Sequence, residues 1–468
     1  MYKLFYIFLS IILISSCTVG PDYKEPVISL PENWDKSGVK TSADSKEDIE
    51  KEWWKNFNDP ILSQLIEKAE SGNLDLKIAL SRINQARASR SAASSDFFPT
   101  ANVGASASRE ANKFALPQPF PGMTSPFSTF KAGFDASWEP DIFGGKRRLL
   151  ESRSAELAAS EVSMDASRIS LFAEVASTYI DIRQYQAILS ITNETIAAEK
   201  RTVDIVSERY HSGKTSQLDQ TQAISQLEQT KTQLPYYQNL ITQAEYSMDL
   251  LLGEQPGFTH EITNTVKPVP FSHKEVVLSA PANVIASRPD IKIAERQLAS
   301  ATAMQGVAIS KFFPDISLSG FVGVLNVNSS DLLKASSKSW DVGGNVLLPI
   351  LNYGTLYANL NQANAKQQEA FHIYQKSVIS ALIDVAKSVT AWKKQEEYME
   401  ALKKTVMSNR KTAEIANMRY KEGLSSFIDV LDAERALYAS ESQLVQSKSQ
   451  SSQRLVSVYK SLGGGWKK

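Results

Sequence analysis

Cysteine is almost absent: among 468 residues the single thiol is Cys17. An intrachain disulfide is therefore excluded. Histidine is scarce as well, and His211, His260, His273 and His372 stand at no metal-ligand spacing from one another. Charge of one sign is missing too. The 51 lysines and arginines match 51 aspartates and glutamates, which leaves no bulk attraction for nucleic acid. Beyond the N-terminal segment no stretch offers about 18 uninterrupted apolar residues, so no helix reads as spanning a bilayer. Nucleophile elbow, phosphate loop and CxxC are all lacking. FGGKRR (143–148) places glycines before a helix without Walker spacing and reads as a strand-to-helix turn. The chain thus reads as a non-enzyme with no cofactor and no metal, since only perturbed acids hidden in the fold could carry catalysis.

What is present begins at the N-terminus. MYKLFYIFLSIILISSC (1–17) has Lys3, an apolar run Leu4–Ile14 and small Ser15 and Ser16 before Cys17. Residues 1–16 form a secretory signal peptide, too short to span. The ending ISSC resembles a bacterial lipobox, which makes Cys17 the acylated first residue of the mature chain; the alternative is a free buried cysteine. Thr18 follows, and by resemblance to lipoprotein sorting this favours the outer membrane. An exported chain without a spanning helix is soluble, lipid-anchored or a β-barrel.

The chain is also duplicated. RYHSGKTSQLDQTQAI (209–224) is echoed by RYKEGLSSFIDVLDAE (419–434), with Arg209/Arg419, Tyr210/Tyr420, Gly213/Gly423, Ser216/Ser426 and Asp219/Asp429 in one register. LDLKIALSRINQARASRSAASSDFFP (74–99) aligns with PDIKIAERQLASATAMQGVAISKFFP (289–314). Such a repeat takes precedence over any fold assignment. A signal peptide (1–16) and an N-terminal segment (17–60) precede a first repeat (61–252), a Pro-rich connector (253–288) and a second repeat (289–468).

Each repeat runs in the same order. A helix ends at Phe-Phe-Pro, because Pro99 and Pro314 disfavour helical geometry in the preceding residue. Two alternating strands follow, at about 99–110 and 130–142 in the first copy and 315–325 and 339–351 in the second. Roughly ten residues is the length of a tilted membrane strand, and Phe97, Phe98, Trp138, Phe143, Phe312, Phe313 and Trp340 near their ends suit an interfacial girdle. A soluble sheet packed on a core also fits the alternation, and the long helices that follow weigh against it. Then comes a long helix: 146–210 and 355–422 contain neither proline nor glycine, and at 1.5 Å per residue each is roughly 100 Å long. Ala155, Val162, Ile169, Ala176 and Ala159, Ala166, Ala173, Ile180 repeat every seven residues, as in a coiled coil. Each helix ends in a hairpin tip, 209–219 or 419–429. Gly213 and Gly423 suit left-handed helix ends. Ser216 with Asp219, and Ser426 with Asp429, have capping-box spacing. Asp432 lies one turn on from Asp429, on the same face. Four strands cannot close a barrel, and an open edge in lipid is forbidden, so several chains must combine.

CTVGPDY (17–23), WWKNFNDPILSQLIEKA (53–69), RPDIKIAERQLASA (288–301), the FFP pair, RYKEGLSSFIDVLDAE (419–434) and SLGGGW (461–466) together resemble a TolC-like outer-membrane efflux protein, in the lipoprotein branch serving resistance-nodulation-division pumps. The resemblance implies a mostly α, mixed α and β fold. It implies a homotrimer whose twelve strands form one barrel and whose helices form a periplasmic tunnel, with the connector in an equatorial belt. It implies an exit duct for small molecules or ions, working with a periplasmic adaptor and an inner-membrane pump, with no nucleic acid involved. The hairpin tips, with Arg209, Gly213, Arg419 and Gly423, would meet the adaptor. Asp429 and Asp432 match paired aspartates that ring the narrow periplasmic entrance, and Tyr420 matches a tyrosine that bonds an aspartate, here Asp219. The family's arginine two residues after the glycine is replaced by Ser425, so this clamp is weaker or differently made. Two other readings stand: a duct for protein secretion, and a coiled-coil envelope lipoprotein without a pore. The duplicated strands argue against the second.

Overall fold

The computed structural model describes residues 18–31, 34, 52–111, 126–272 and 281–464. Cys17, the signal peptide, the middle of the first inter-strand loop, residues 273–280 of the connector and Trp466 lie outside the described residues. Helices α1 (Pro60–Gly72) and α2 (Leu74–Ser95) lead to strands β1 (Thr100–Glu110) and β2 (Phe127–Trp138). Helix α3 (Gly145–His211) follows, then α4 (Gln217–Lys231), α5 (Gln233–Leu252) and the short α6 (Phe258–Thr263) and α7 (Pro281–Ser287). The second repeat supplies α8 (Pro289–Ser310), β3 (Asp315–Asn326), β4 (Lys338–Leu347), α9 (Tyr353–Lys421) and α10 (Phe427–Ser461). Among the described residues no helix is long and apolar enough to cross a membrane.

Two strand ends fall short of the sequence reading, each beside a proline, and β2 begins at Phe127, ahead of the expected 130. β2 ends at Trp138 and not at 142, because Pro140 cannot donate to a ladder; β4 likewise ends at Leu347, ahead of Pro349, and not at 351. The helix after the first tip is not continuous. It breaks at Thr232, three residues before Pro235, whose ring and missing N–H oppose an uninterrupted helix. Its counterpart α10, free of proline, runs unbroken for 35 residues.

Packing divides the chain into two compact units, and each draws on both repeats. The first holds residues 1–26, 83–160 and 294–374. Its sheet is antiparallel in the order β1-β2-β3-β4, so β1 and β4 are edges. The register sets Val103 opposite Phe134, Phe134 opposite Val322, and Val322 opposite Trp340. This apolar row crosses all four strands, and its members are 59% to 76% exposed. The other face carries Asn102, Asp135, Ser319, Asp341 and Asn345, since neighbours along a strand alternate. Phe321 is an apolar residue near the middle of that face, with Phe127, Leu325 and Leu347 nearer the strand ends. Its ring lies over Gly133 and Gly323, where an added Cβ would come within 2.7 Å of it, and beneath Lys131 Nζ at 3.8 Å. Aromatics gather where the strands meet the helices. Trp138 Nε1 donates to Phe97 O (2.9 Å), Phe143 stacks on Phe313 at 4.8 Å, and Phe312 meets Tyr353 edge-on at 5.3 Å.

The second unit holds residues 27–82, 161–293 and 375–468. Its core is the WWKNF segment. Trp53 stacks on Tyr459 at 5.4 Å and Trp54 meets Phe172 edge-on at 5.1 Å, joined by Leu62, Leu65, Ile66, Met248 and Leu252. Arg183 is fully buried, yet it donates to Tyr179 Oη, Gln186 Oε1 and the carbonyls of Thr263 and Thr265. A charge at such depth needs that many acceptors.

Candidate functional site

Both hairpin turns lie in the second unit, and they are the same device. Gly213 has φ 67° and Gly423 φ 76°, the left-handed conformation that costs glycine nothing. Gly213 N donates to Tyr210 O (2.9 Å) and Lys214 N to Arg209 O (2.8 Å); Gly423 N donates to Tyr420 O (3.0 Å) and Leu424 N to Arg419 O (2.8 Å). The next helix then opens on a serine-aspartate pair in each copy. Asp219 Oδ2 accepts from Thr215 Oγ1 (2.5 Å) and Ser216 N (3.2 Å), and Ser216 Oγ accepts from Asp219 N (3.2 Å). The Thr215 hydroxyl, with help from Ser216, holds the Asp219 carboxyl below the usual range. Asp429 Oδ2 accepts from Ser426 N (3.0 Å) and Ser426 Oγ (2.9 Å).

The expected Tyr420–Asp219 hydrogen bond is not formed. Asp219 spends its oxygens within its own turn. Tyr420 is buried, and its hydroxyl has no partner among the described residues. The ring packs on Phe427 (5.7 Å) among Val206, Ala223, Val430 and Leu431. What reaches Tyr420 from the first tip is Arg209. Its Nη1 donates to the carbonyls of Tyr420 (3.1 Å) and Lys421 (3.4 Å), and its guanidinium lies 4.8 Å over the tyrosine ring. Arg419, in the same register, instead donates within its own turn to Leu424 O (3.2 Å). The repeat shows that two arginines recur; it gives no sign that one of them crosses to the other tip.

Asp429 and Asp432 are exposed, and Asp432 makes no hydrogen bond or ion pair among the described residues. Leu218, Leu424 and Ile428 are exposed beside the turns as well. Behind the turns a polar chain links three helices. Buried Glu199 accepts from Gln226 Nε2 and Thr230 Oγ1 (3.0 Å each), and Gln226 Oε1 accepts from Arg435 Nε (2.7 Å). Burial pushes the Glu199 carboxyl up.

The segment after Cys17 forms a second feature, in the first unit. Val19 N donates to Phe143 O (3.1 Å). Arg148 donates to Val19 O and Gly20 O (3.1 Å each) and to Asp22 Oδ1 (2.7 Å). Gly20, at φ 90°, lies against Gly306, and a Cβ there would sit 2.4 Å from Gly306 Cα. Tyr23 Oη donates to Glu295 Oε1 (2.5 Å). FGGKRR therefore also anchors TVGPDY, a role its spacing does not announce.

The profile of the outer membrane efflux protein family matches residues 65–254 and 280–464, which takes in both repeats and both tips. The chain belongs to this family. It is 29% identical over 436 residues to nodulation protein T of Rhizobium leguminosarum bv. trifolii, covering 93% of this chain and 92% of that one. It is 30% identical over 458 residues to the toluene efflux pump outer membrane protein TtgC of Pseudomonas putida, covering 97% and 94%. Its fold is similar to that of the outer-membrane channel OprN, with a TM-score of 0.88 at 32% identity, covering 96% of this chain and 100% of that one. As an outer membrane efflux protein it is a channel component and not a member of an enzyme family.

Proposed function

We propose that three copies of this chain assemble into the exit duct of a tripartite efflux system. The duct passively conducts small molecules or ions delivered by an inner-membrane pump through a periplasmic adaptor. The observation that carries this reading is the sheet. It presents an exposed apolar row on one face, polar groups on the other and two unpaired edges. In lipid those edges have to be closed. Four strands per chain in three copies would make a barrel of twelve, apolar outside and polar within. Acylated Cys17 adds a second anchor, and the segment that follows it is held by Arg148 and Gly306. The tips, with exposed Leu218, Leu424 and Ile428, supply the adaptor surface, and Asp429 and Asp432 line the entrance.

The test is native mass spectrometry of the protein extracted from outer membranes. The expected species is a trimer whose mature chains begin at an acylated Cys17. A monomer, or a chain beginning at Met1, would contradict the assembly or the anchor respectively.

A further inference from the structure

The duct reading leaves open what keeps the entrance shut. In the duct reading Asp429 and Asp432 of neighbouring copies would repel, and Ser425 stands where the resemblance implies an arginine. Among the described residues, Arg209 alone joins one turn to the other by hydrogen bonds. It donates to the last carbonyls of α9, that of Lys421 and that of Tyr420, which also accepts from Gly423 N, and a cation is favoured at that negative end of the helix. The same guanidinium stacks on Tyr420, a contact that depends on the ring and not on its hydroxyl. The site is also incompletely satisfied: Arg209 Nε, Tyr420 Oη and Ser425 Oγ are buried without partners. Unpaired buried polar atoms lower the cost of letting a contact go.

We propose that Arg209 is the positioning residue of the gate. By covering the Tyr420 and Lys421 carbonyls and stacking on the Tyr420 ring, it holds the second hairpin against the first. Its release frees the hairpin that carries Asp429 and Asp432. The lock is therefore a guanidinium on backbone and ring, and not a tyrosine hydroxyl on an aspartate. This proposal rests on the duct reading.

The experiment measures single-channel conductance of full-length protein in planar bilayers, with trimer mass and thermal midpoint recorded for each variant. Arg209→Gln and Tyr420→Leu are expected to move the closed-to-open balance roughly tenfold toward open, the effect of losing charged hydrogen bonds. Arg209→Lys should restore part of the closure, because it keeps a donor and a charge but not the planar stack. Tyr420→Phe should conduct like the parent. Trimer mass should stay parental in all four variants, and the midpoint should stay close to parental in the Arg209 variants and Tyr420→Phe but fall in Tyr420→Leu, which leaves a cavity in the cluster around the ring. Parental conductance in both Arg209→Gln and Tyr420→Leu overturns the clamp and leaves the duct standing. So does a Tyr420→Phe channel as open as Tyr420→Leu, since that outcome assigns the lock to the hydroxyl. If neither the parent nor any variant conducts, clamp and duct fall together.

Discussion

Asp219 and Asp429 occupy equivalent positions, and both carboxylates are consumed by donors of their own turns. Asp429→Ala should therefore cost about 1 kcal/mol of stability through the lost cap, read as a lower thermal midpoint. Asp432 caps nothing, so Asp432→Ala should leave the midpoint unchanged while weakening cation preference and block by multivalent cations. Equal midpoint losses in the two variants would refute this division of labour. Glu199 gives a pH prediction. Its folded state binds the proton more tightly than the unfolded chain, because burial raises its pKa. Its contribution to stability is thus fully present below the ordinary glutamate value near 4.5 and is lost as pH rises through the raised folded value. Glu199→Gln keeps an acceptor for Gln226 and Thr230. It should make hydrogen-exchange protection of the tip amides less dependent on pH across that range; an unaltered pH profile would contradict it. The paired motifs named Asp219 and Asp429 from the sequence, with Asp432 one turn on, whereas no motif singles out Glu199. The Tyr420–Asp219 bond came by resemblance, and it fails because Thr215, two residues after Gly213, supplies Asp219 with a nearer donor.

At the scale of elements, the helices were legible where nothing interrupts them, at 146–210 and 355–422. Strand alternation was legible too, since Val103, Phe134, Val322 and Trp340 do share a face. The strand ends were overrun at Pro140 and Pro349, where alternation continues in the letters although the ladder cannot. Pairing across the sheet was not legible, because a register is a relation between segments and leaves no period in either one. The Phe321 platform is such a relation. A Cβ at Gly323 would lie 2.3 Å from Ala132 O as well as against the ring, so Gly323→Val must spread β2 from β3. Its expected signature is a trimer that loses resistance to heating in detergent, by 1–3 kcal/mol per site if it behaves as overpacking (about the usual range). Gly323→Val with unaltered heat resistance would show that the ring and the strands adjust freely.

At the scale of the molecule, the described residues of one chain present half of each relationship the duct requires: a sheet with two edges unpaired among them, a row of exposed apolar side chains and an acidic pair without counterions among them. The loops between strands, about 110–129 and 326–338, belong outside the cell in this account, and the two turns belong in the periplasm. A tag at Ser330 should react on intact cells, whereas one at Ser212 should not; the reverse pattern would invert the topology. The central claim is that the assembled chains enclose a pore, and planar-bilayer recording of the purified, outer-membrane-derived trimer tests it most directly. The account predicts discrete conductance steps that prefer cations and are reduced by a multivalent cation added on the side of the turns. A stably inserted trimer that yields no steps at any voltage, in the parent and in Arg209→Gln alike, would contradict it and leave a coiled-coil spacer in its place.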